Sequence, residues 1–161
     1  MIKHLRNARQ STFLHAGIAM YARKYGLQPA DRIKEPIFQT GFTKHHSIYL
    51  GMDPYGKEWI AENHWQHGVR LVKGNDYFKE GNRYTVVPFE GSYQKRIVAA
   101  KRALSEMGKS YDLIQYNCEH YSSFVQTGNA TSYQVENVMD GLKFVGILAL
   151  IFGFAQLISN D

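Results

Sequence analysis

The chain of 161 residues contains a single cysteine, Cys118, and this scarcity excludes two kinds of site. An intramolecular disulfide needs two thiols, so nothing in the sequence requires an oxidising compartment. A structural zinc site built on several thiolates is excluded for the same reason. Internal repeats and low-complexity segments are also lacking, and the length corresponds to one domain. Cys118 is therefore either a small buried side chain or a chemical group.

Acidic residues are scarce at the N-terminus. Residues 1–34 contain seven lysines and arginines against one acidic residue, a net charge of +6, whereas the remaining 127 residues carry 12 basic and 13 acidic groups. A basic end favours anionic partners, either phospholipid headgroups or nucleic acid. No nucleic-acid motif accompanies it, so no nucleic-acid partner is predicted. We expect a basic helix over residues 1–26, ended by Gly26, rather than a signal peptide, because His15 interrupts the apolar run.

The chain has no apolar run of the ~20 residues that a membrane-spanning helix usually needs. Residues 144–158 form an uncharged run of 15 residues. A membrane-embedded tail is favoured over a buried helix, because helices buried on all sides are uncommon in a small domain. If the tail spans, Lys143 and Asp161 on either side leave the globular part cytoplasmic. The sequence thus divides into the N-terminal helix, a central domain (27–140) and a hydrophobic C-terminal helix or membrane tail (141–161).

Short strands and turns alternate through the central domain. Residues rich in β-branched and aromatic types, bounded by Gly, Asp, Asn and Pro, predict strands near Ile33 and at 45–50, 59–65, 68–72 and 83–89. Ser92 is a candidate N-cap for a helix that ends at Gly108, and a second helix is predicted to begin near Asn117. The expected fold class is α+β, with a small antiparallel sheet packed against helices.

Cys118 lies at the predicted start of that second helix. The positive end of a helix and a neighbouring imidazole are the two features that most simply activate a thiol. Four histidines lie on or beside the predicted hairpin: His45, His46, His64 and His67. A helical cysteine that faces a histidine on a sheet is the geometry of papain-like thiol enzymes. Adjacent histidines on a strand point to opposite faces, so neither a metal site nor a cofactor is predicted.

The local sequence adds a family resemblance. Residues 117–121, NCEHY, and the SSFVQTGNATSYQVENV that follows resemble the NCEHF box of the lecithin:retinol acyltransferase and HRAS-like-suppressor phospholipase/acyltransferase family, within the NlpC-type papain-like superfamily. His45, with Tyr49 and Gly51, is similar to that family's H-x-x-x-Y-x-G strand. The order of elements matches as well, and the resemblance covers roughly residues 27–158.

The resemblance implies a circularly permuted papain-like fold, with His before Cys. It implies that Cys118 is the nucleophile, which forms an acyl-thioester, and that His45 is the general base and acid. The family's third member is usually a histidine on the second hairpin strand, where this sequence offers Glu62 and His64 on one face. Either side chain is able to orient an imidazole, and His64 is slightly favoured on chemical precedent.

The supporting residues have structural and functional alternatives. Asn117 is expected to cap the helix and to help place the thiolate. The expected oxyanion donor is the backbone N–H of Cys118 with a second group, and Tyr49 belongs either to that group or to the core. His46 and His67 are expected at the surface or the rim of the site.

The residues beside the cysteine complete these expectations. Glu119 suits the positive end of the helix and needs no catalytic role, and His120 is expected to be a structural hydrogen-bonding residue.

The resemblance implies thiol-dependent acyl transfer or hydrolysis on a glycerophospholipid acyl donor. The expected location is the cytoplasmic face of a membrane, which the basic N-terminus and the apolar C-terminal tail would contact. Two alternatives stay open: an NlpC-type cysteine peptidase or amidase, and a non-catalytic binding protein of the H-box/NC type.

Overall fold

The computed structural model describes residues 19–36 and 44–143 of the chain. The chain divides into two compact units, Met1–Thr131 and Ser132–Asp161, so the division falls before the boundary predicted at residue 140. Most of the predicted basic helix and the whole apolar run at 144–158 lie outside the described residues. Within the part that is described, no helix is both long and apolar enough to cross a membrane.

The first unit contains five strands and four helices in its described residues. The strands are β1 (Arg32–Pro36), β2 (Lys44–Met52), β3 (Glu58–His64), β4 (Gly68–Lys73) and β5 (Thr85–Val87). The helices are α1 (Met20–Tyr25), α2 (Gly74–Tyr77), α3 (Tyr93–Ser105) and α4 (Cys118–Thr127). In the second unit, residues 133–143 form a helix, α5, that continues to the end of the described residues.

The strands form one sheet in the order β4-β3-β2-β1-β5, and all neighbouring strands are antiparallel. The predicted α+β class with a small antiparallel sheet is therefore confirmed. Each predicted strand lies within about three residues of an observed one. Helix α2 differs from what its sequence indicates, because Gly, Asn and Asp in GNDY are typical of a turn.

Both faces of the sheet are covered by apolar side chains. On one face, α3 and α4 pack on β2 and β3 through a cluster that includes Ile48, Leu50, Ala61, Ala99 and Tyr121. On the other face, α1 and α2 contribute to a second cluster with Ile33, Tyr49, Ile60, Tyr77 and Phe78. Successive side chains of a strand point to opposite faces, so β2 and β3 supply residues to both clusters.

The N-terminus of α3 is capped by a neighbouring residue in the chain, whereas the N-terminus of α1 is capped by a distant one. Ser92 caps α3 as predicted, and its Oγ accepts a hydrogen bond from the Lys95 amide at 3.4 Å. Helix α1 has no capping side chain of its own. Instead, the Glu58 carboxylate on β3 accepts hydrogen bonds from the Tyr21 and Ala22 amides, both at 2.9 Å. A carboxylate at a helix N-terminus satisfies unpaired amides and interacts favourably with the helix dipole.

A buried ion pair joins the start of β1 to α3. Asp31 Oδ1 accepts hydrogen bonds from Arg96 Nη1 at 2.7 Å and from the Phe89 amide at 2.8 Å. The same guanidinium donates to the carbonyl oxygens of Pro29 and Phe89. The side chains of Asp31 and Arg96 are 3% and 13% exposed, so each charge depends on the other for compensation.

We expect Asp31→Asn to lower the free energy of unfolding by about 3 kcal/mol, because it leaves the buried guanidinium without its counter-charge. The matched control is Asp140→Asn, which breaks an ion pair whose side chains are 68% and 72% exposed. The control should cost at most about 1 kcal/mol. Urea unfolding of both variants measures the difference, and equal losses would contradict a structural role for the buried pair.

Candidate active site

The cysteine lies at the first residue of α4, and the preceding residue holds the helix start in place. Asn117 caps α4 as predicted, and its Oδ1 accepts hydrogen bonds from the Glu119 amide at 2.9 Å and the His120 amide at 3.0 Å. His120 Nδ1 accepts the Asn117 amide in return, at 3.3 Å, which completes a capping box. The amide of Cys118 is not among those that Asn117 caps, and it points outward from the positive end of the helix.

His45 contacts both the cysteine and a carboxylate. Its Nε2 lies 2.7 Å from Glu62 Oε2, and the Cys118 side chain is close enough to the ring to raise its pKa. The Cys118 Sγ lies 3.9 Å from the Lys44 carbonyl oxygen. Nδ1 is the ring nitrogen that Glu62 does not engage. The structure thus brings Cys118, His45 and Glu62 into one connected group, with the imidazole in the middle.

The protonation of this group follows from its contacts. Burial alone would lower the pKa of His45, but the hydrogen bonds and negative charges of Cys118 and Glu62 raise it to about 10. Burial would also raise the pKa of Glu62, yet the bonds and positive charges of His45 and Arg70 hold it below its usual range. The group therefore favours an imidazolium next to the ionised Glu62 carboxylate.

Arg70 on β4 completes the environment of the carboxylate. Its Nε donates to Glu62 Oε1 at 2.8 Å, and its Nη2 lies 2.7 Å from the same oxygen. Glu62 is directly opposite Arg70 in the pairing of β3 with β4, and opposite Ser47 in the pairing of β2 with β3. The strand register therefore places the carboxylate between a fixed cation and the imidazole.

The two candidates for the third position occupy different environments. Glu62 contacts His45, whereas His64 Nδ1 accepts a hydrogen bond from the Gln66 amide at 3.2 Å. The ring of His64 stacks on His67, with ring centroids 4.9 Å apart. Since both side chains lie on one face of β3, the register of the strands selects Glu62, and the slight preference for His64 does not agree with this geometry.

The remaining predicted residues are placed as follows. Tyr49 is in the core, 1% exposed, and its hydroxyl donates to Glu58 at 2.8 Å, so it does not line the cavity beside Cys118. His67 is exposed as expected. The prediction that His46 lies at the surface or rim is wrong: it is 2% exposed, because strand alternation directs it away from His45 and under α4.

A cavity of about 530 Å³ opens beside Cys118. Cys118, His45, Glu62 and Arg70 contribute to its wall, and other lining residues are Glu35, Asn63, His64, Trp65, Asp76, Tyr77 and Tyr111. Glu35 lies opposite His45 in the pairing of β1 with β2, and burial raises the pKa of its carboxyl group. The volume is within the range of small-molecule sites, about 300–1,000 Å³.

Tyr111 is a site residue that the sequence analysis did not identify. It lines the cavity with Cys118, and burial together with the negative charge of Cys118 raises the pKa of its hydroxyl. Tyr111 lies seven positions before Cys118 in the sequence, in a loop without helical or strand periodicity. The one feature of the sequence that could have indicated it is an aromatic hydroxyl this near to the cysteine in the chain. Arg70 was also missed, although alternation along β4 and pairing with Glu62 would have indicated it.

Metal binding finds no support in residues 19–36 and 44–143, where no group of three or more His, Cys, Asp or Glu side chains is arranged to hold an ion. Neither a scan of protein-family models nor a search of curated proteins finds a match for this chain.

We expect Glu62→Gln to lower the pKa of His45 well below about 10, because the substitution removes a charge that stabilises the imidazolium. A group whose folded-state pKa lies above its unfolded value of 6.5 contributes stability that is complete below 6.5 and is lost as the pH rises towards 10. The stability difference between wild type and Glu62→Gln should therefore shrink over that window.

The measurement is an NMR titration of His45, assigned from the spectrum of His45→Gln, with urea unfolding at each pH. Glu80→Gln, at an exposed position, is the control. A His45 midpoint that Glu62→Gln leaves unchanged would rule out the carboxylate as the group that sets it.

Proposed function

We propose that this chain is a thiol-dependent enzyme that transfers or hydrolyses the acyl group of glycerophospholipids. The observation that carries the proposal is the position of His45, which bonds the Glu62 carboxylate and lines one cavity together with Cys118, whose side chain raises the pKa of the ring. A nucleophile, a base within hydrogen-bond reach and a third group that orients the base are the signature of covalent catalysis. The phospholipid as acyl donor comes from the resemblance of NCEHY and the His45 strand to the acyltransferase family.

The fold supports a papain-like relationship. The cysteine begins a helix that packs on an antiparallel sheet, and the histidine lies on a strand of that sheet. The histidine precedes the cysteine in the chain, which corresponds to the circularly permuted arrangement. The catalytic part of the proposal, residues 27–140, contains every residue assigned a role.

In the first half-reaction, the Cys118 thiolate forms a bond to the ester carbonyl carbon, and the carbonyl oxygen takes the negative charge. Collapse of this intermediate breaks the carbon–oxygen bond to the glycerol. The His45 imidazolium gives its proton to the departing alkoxide, so a lysophospholipid leaves and an acyl-thioester remains. The raised pKa of His45, about 10, keeps that proton available at neutral pH.

In the second half-reaction, water, an alcohol or an amine attacks the thioester carbon. The attacking group gives its proton to neutral His45, and the Cys118 thiolate leaves. Glu62 holds the imidazole through Nε2 in both steps and stabilises its positive charge. The amide of Cys118 at the start of α4 is the first donor to the oxyanion.

Membrane contact is part of the proposal. The basic N-terminal segment would attract anionic headgroups, and the apolar run at 144–158 would hold the site at the cytoplasmic face of a membrane. Both contacts are assigned from the sequence, since residues 1–18 and 144–158 lie outside the described residues.

The test is intact-mass spectrometry of the full chain after incubation with phosphatidylcholine or phosphatidylethanolamine vesicles. We expect a mass increase equal to one fatty acyl group, which hydroxylamine removes, and release of lysophospholipid. Cys118→Ala should give neither product. His45→Gln should lose the adduct, whereas the control His67→Gln, at an exposed histidine, should retain it. Absence of both adduct and lysophospholipid from wild type, while Cys118 still alkylates fast, would contradict the phospholipid substrate and leave an amide substrate as the next test.

Tyr111 is the proposed second oxyanion donor, because the residue lines the cavity with Cys118 and because burial and the charge of Cys118 raise the pKa of its hydroxyl. We expect Tyr111→Phe to lower kcat for acyl-enzyme formation about 100-fold with little change in KM, as loss of an oxyanion donor does. Tyr55→Phe, at a side chain that is 86% exposed, is the control. Rates of Tyr111→Phe within twofold of wild type in stopped-flow assays with a soluble thioester would exclude this role.

A further inference from the structure

Each strand that carries a proposed catalytic side chain also carries, one residue later, a buried polar side chain on the opposite face. His46 follows His45 on β2 and is 2% exposed, and Asn63 follows Glu62 on β3 and is fully buried. Strand alternation directs His45 and Glu62 to the cavity, and it directs His46 and Asn63 to the face that packs against α4. Asn63 also contributes to the cavity wall, because it lies where β3 passes the start of α4. Buried polar groups are costly unless they are hydrogen-bonded, so the partners of these two side chains matter.

His46 contacts the first turn of α4. Its Nδ1 lies 3.5 Å from Ser122 Oγ and 4.0 Å from Glu119 Oε1. Ser122 Oγ donates its single proton to the Glu119 carbonyl oxygen at 3.1 Å, so Nδ1 carries the proton and donates to Ser122. Glu119 directly follows Cys118. The contact therefore joins His46, the residue after His45, to the start of the helix that carries Cys118.

Asn63 makes a second connection to the same region. Its Nδ2 donates to the Tyr116 carbonyl oxygen at 2.7 Å. Tyr116 precedes the N-cap Asn117, which in turn precedes the cysteine. The residue after Glu62 is thus bonded to the backbone that leads into α4.

These polar side chains occur only at one end of their strands, within the described part of the sheet. On the same face, the positions two and four residues after His46 are Ile48 and Leu50. On β3, the position two residues before Asn63 is Ala61, also apolar. An apolar side chain would fill positions 46 and 63 equally well, but it would form no directional bond. The directional bonds lie where the strands pass beneath the cysteine.

His46 forms its bond as a neutral group. Burial lowers the pKa of His46 to about 3, with Glu119 on α4 opposing the shift and Arg32 and Lys34 on β1 and the adjacent His45 adding to it. The ring therefore donates one hydrogen bond at neutral pH without adding a charge behind the active site.

We infer that His46 and Asn63 are positioning residues that fix the turn carrying Cys118 against the strands carrying His45 and Glu62. This inference deepens the proposed thiol chemistry and rests on it. A misplacement of about 1 Å in reacting groups is enough to lower rates about 100-fold. The bonds of His46 and Asn63 therefore control the distance between the Cys118 sulfur and the His45 ring.

The experiment measures how the rate of Cys118 alkylation by iodoacetamide depends on pH, in the full chain and without lipid. We expect His46→Leu to slow alkylation at least about tenfold near pH 6, where an ordinary thiol with a pKa of about 8.5 is almost fully protonated. His46→Asn, which keeps an N–H donor near the Nδ1 position, should stay within about threefold of wild type. Asn63→Leu should act in the same direction as His46→Leu.

Two controls separate positioning from a general loss of stability. Leu50→Ala lies on the same strand and face as His46, and it should lower the free energy of unfolding by about 2–5 kcal/mol without changing the pH profile. Ser122→Ala removes the oxygen that receives the His46 proton, whereas Ser123→Ala removes a neighbouring hydroxyl that bonds Thr131 at 2.8 Å. Only Ser122→Ala should slow alkylation, by about threefold. This pair keeps the test valid if His46→Leu fails to fold.

The outcomes distinguish the two proposals. If wild type alkylates fast and His46→Leu has the same pH profile, the positioning role alone is overturned. If His46→Leu fails to fold, an unchanged profile in Ser122→Ala overturns it instead. An equal change in Leu50→Ala or Ser123→Ala would overturn it as well. A wild-type thiol that resists alkylation until the protein unfolds would overturn the thiol chemistry and, with it, this inference.

Discussion

The geometry of the site depends on the compensation of one buried charge. Glu62 is 4% exposed, and its carboxylate is shared between Arg70 on one side and His45 on the other. An uncompensated carboxylate in such a place would cost several kcal/mol. His45 lies on β2 and Arg70 on β4, the two strands that flank β3. The Glu62 charge is therefore compensated only when all three strands are paired. The imidazole is oriented as a result.

The sheet separates two tasks between its faces. One face, with α3 and α4, is packed by aliphatic, alanine and aromatic side chains. The other face is apolar near α1 and becomes charged where β2, β3 and β4 meet the cavity. Cys118 belongs to a helix of the first face but lines the cavity, since it is the first residue of that helix. A shift of α4 along its helix axis would therefore move Cys118 relative to the cavity.

Local signals in the sequence were sufficient for the secondary structure and for two members of the site. β-branched and aromatic runs predicted the strands, and Ser92, Asn117 and their partners predicted helix starts. Cys118 was a candidate from its residue type and its place at a predicted helix start, and the resemblance of its strand to a known family singled out His45 from four histidines. The choice between Glu62 and His64 was not accessible, because alternation places both on one face and only the register with β2 and β4 separates them.

Other features depend on tertiary contacts that no local pattern reports. The burial of His46 follows from the placement of α4, and its neighbour Glu119 is 73 positions away in the chain. The capping of α1 by Glu58 joins residues 36 and 37 positions apart. Tyr111 lies in an irregular loop, where neither period applies, so its proximity to the thiol is known only from the folded chain.

The order of the strands has a consequence for how the molecule assembles. His45, Glu62 and Arg70 lie on three strands that follow one another in the chain and pair as successive hairpins within residues 44–73. Such short-range contacts form early, because closing a short loop costs little entropy. Cys118 joins only when α4 docks, 73 positions after His45. The contacts among His45, Glu62 and Arg70 therefore need only the pairing of three successive strands, whereas the proximity of Cys118 also needs the docking of a helix made much later in the chain.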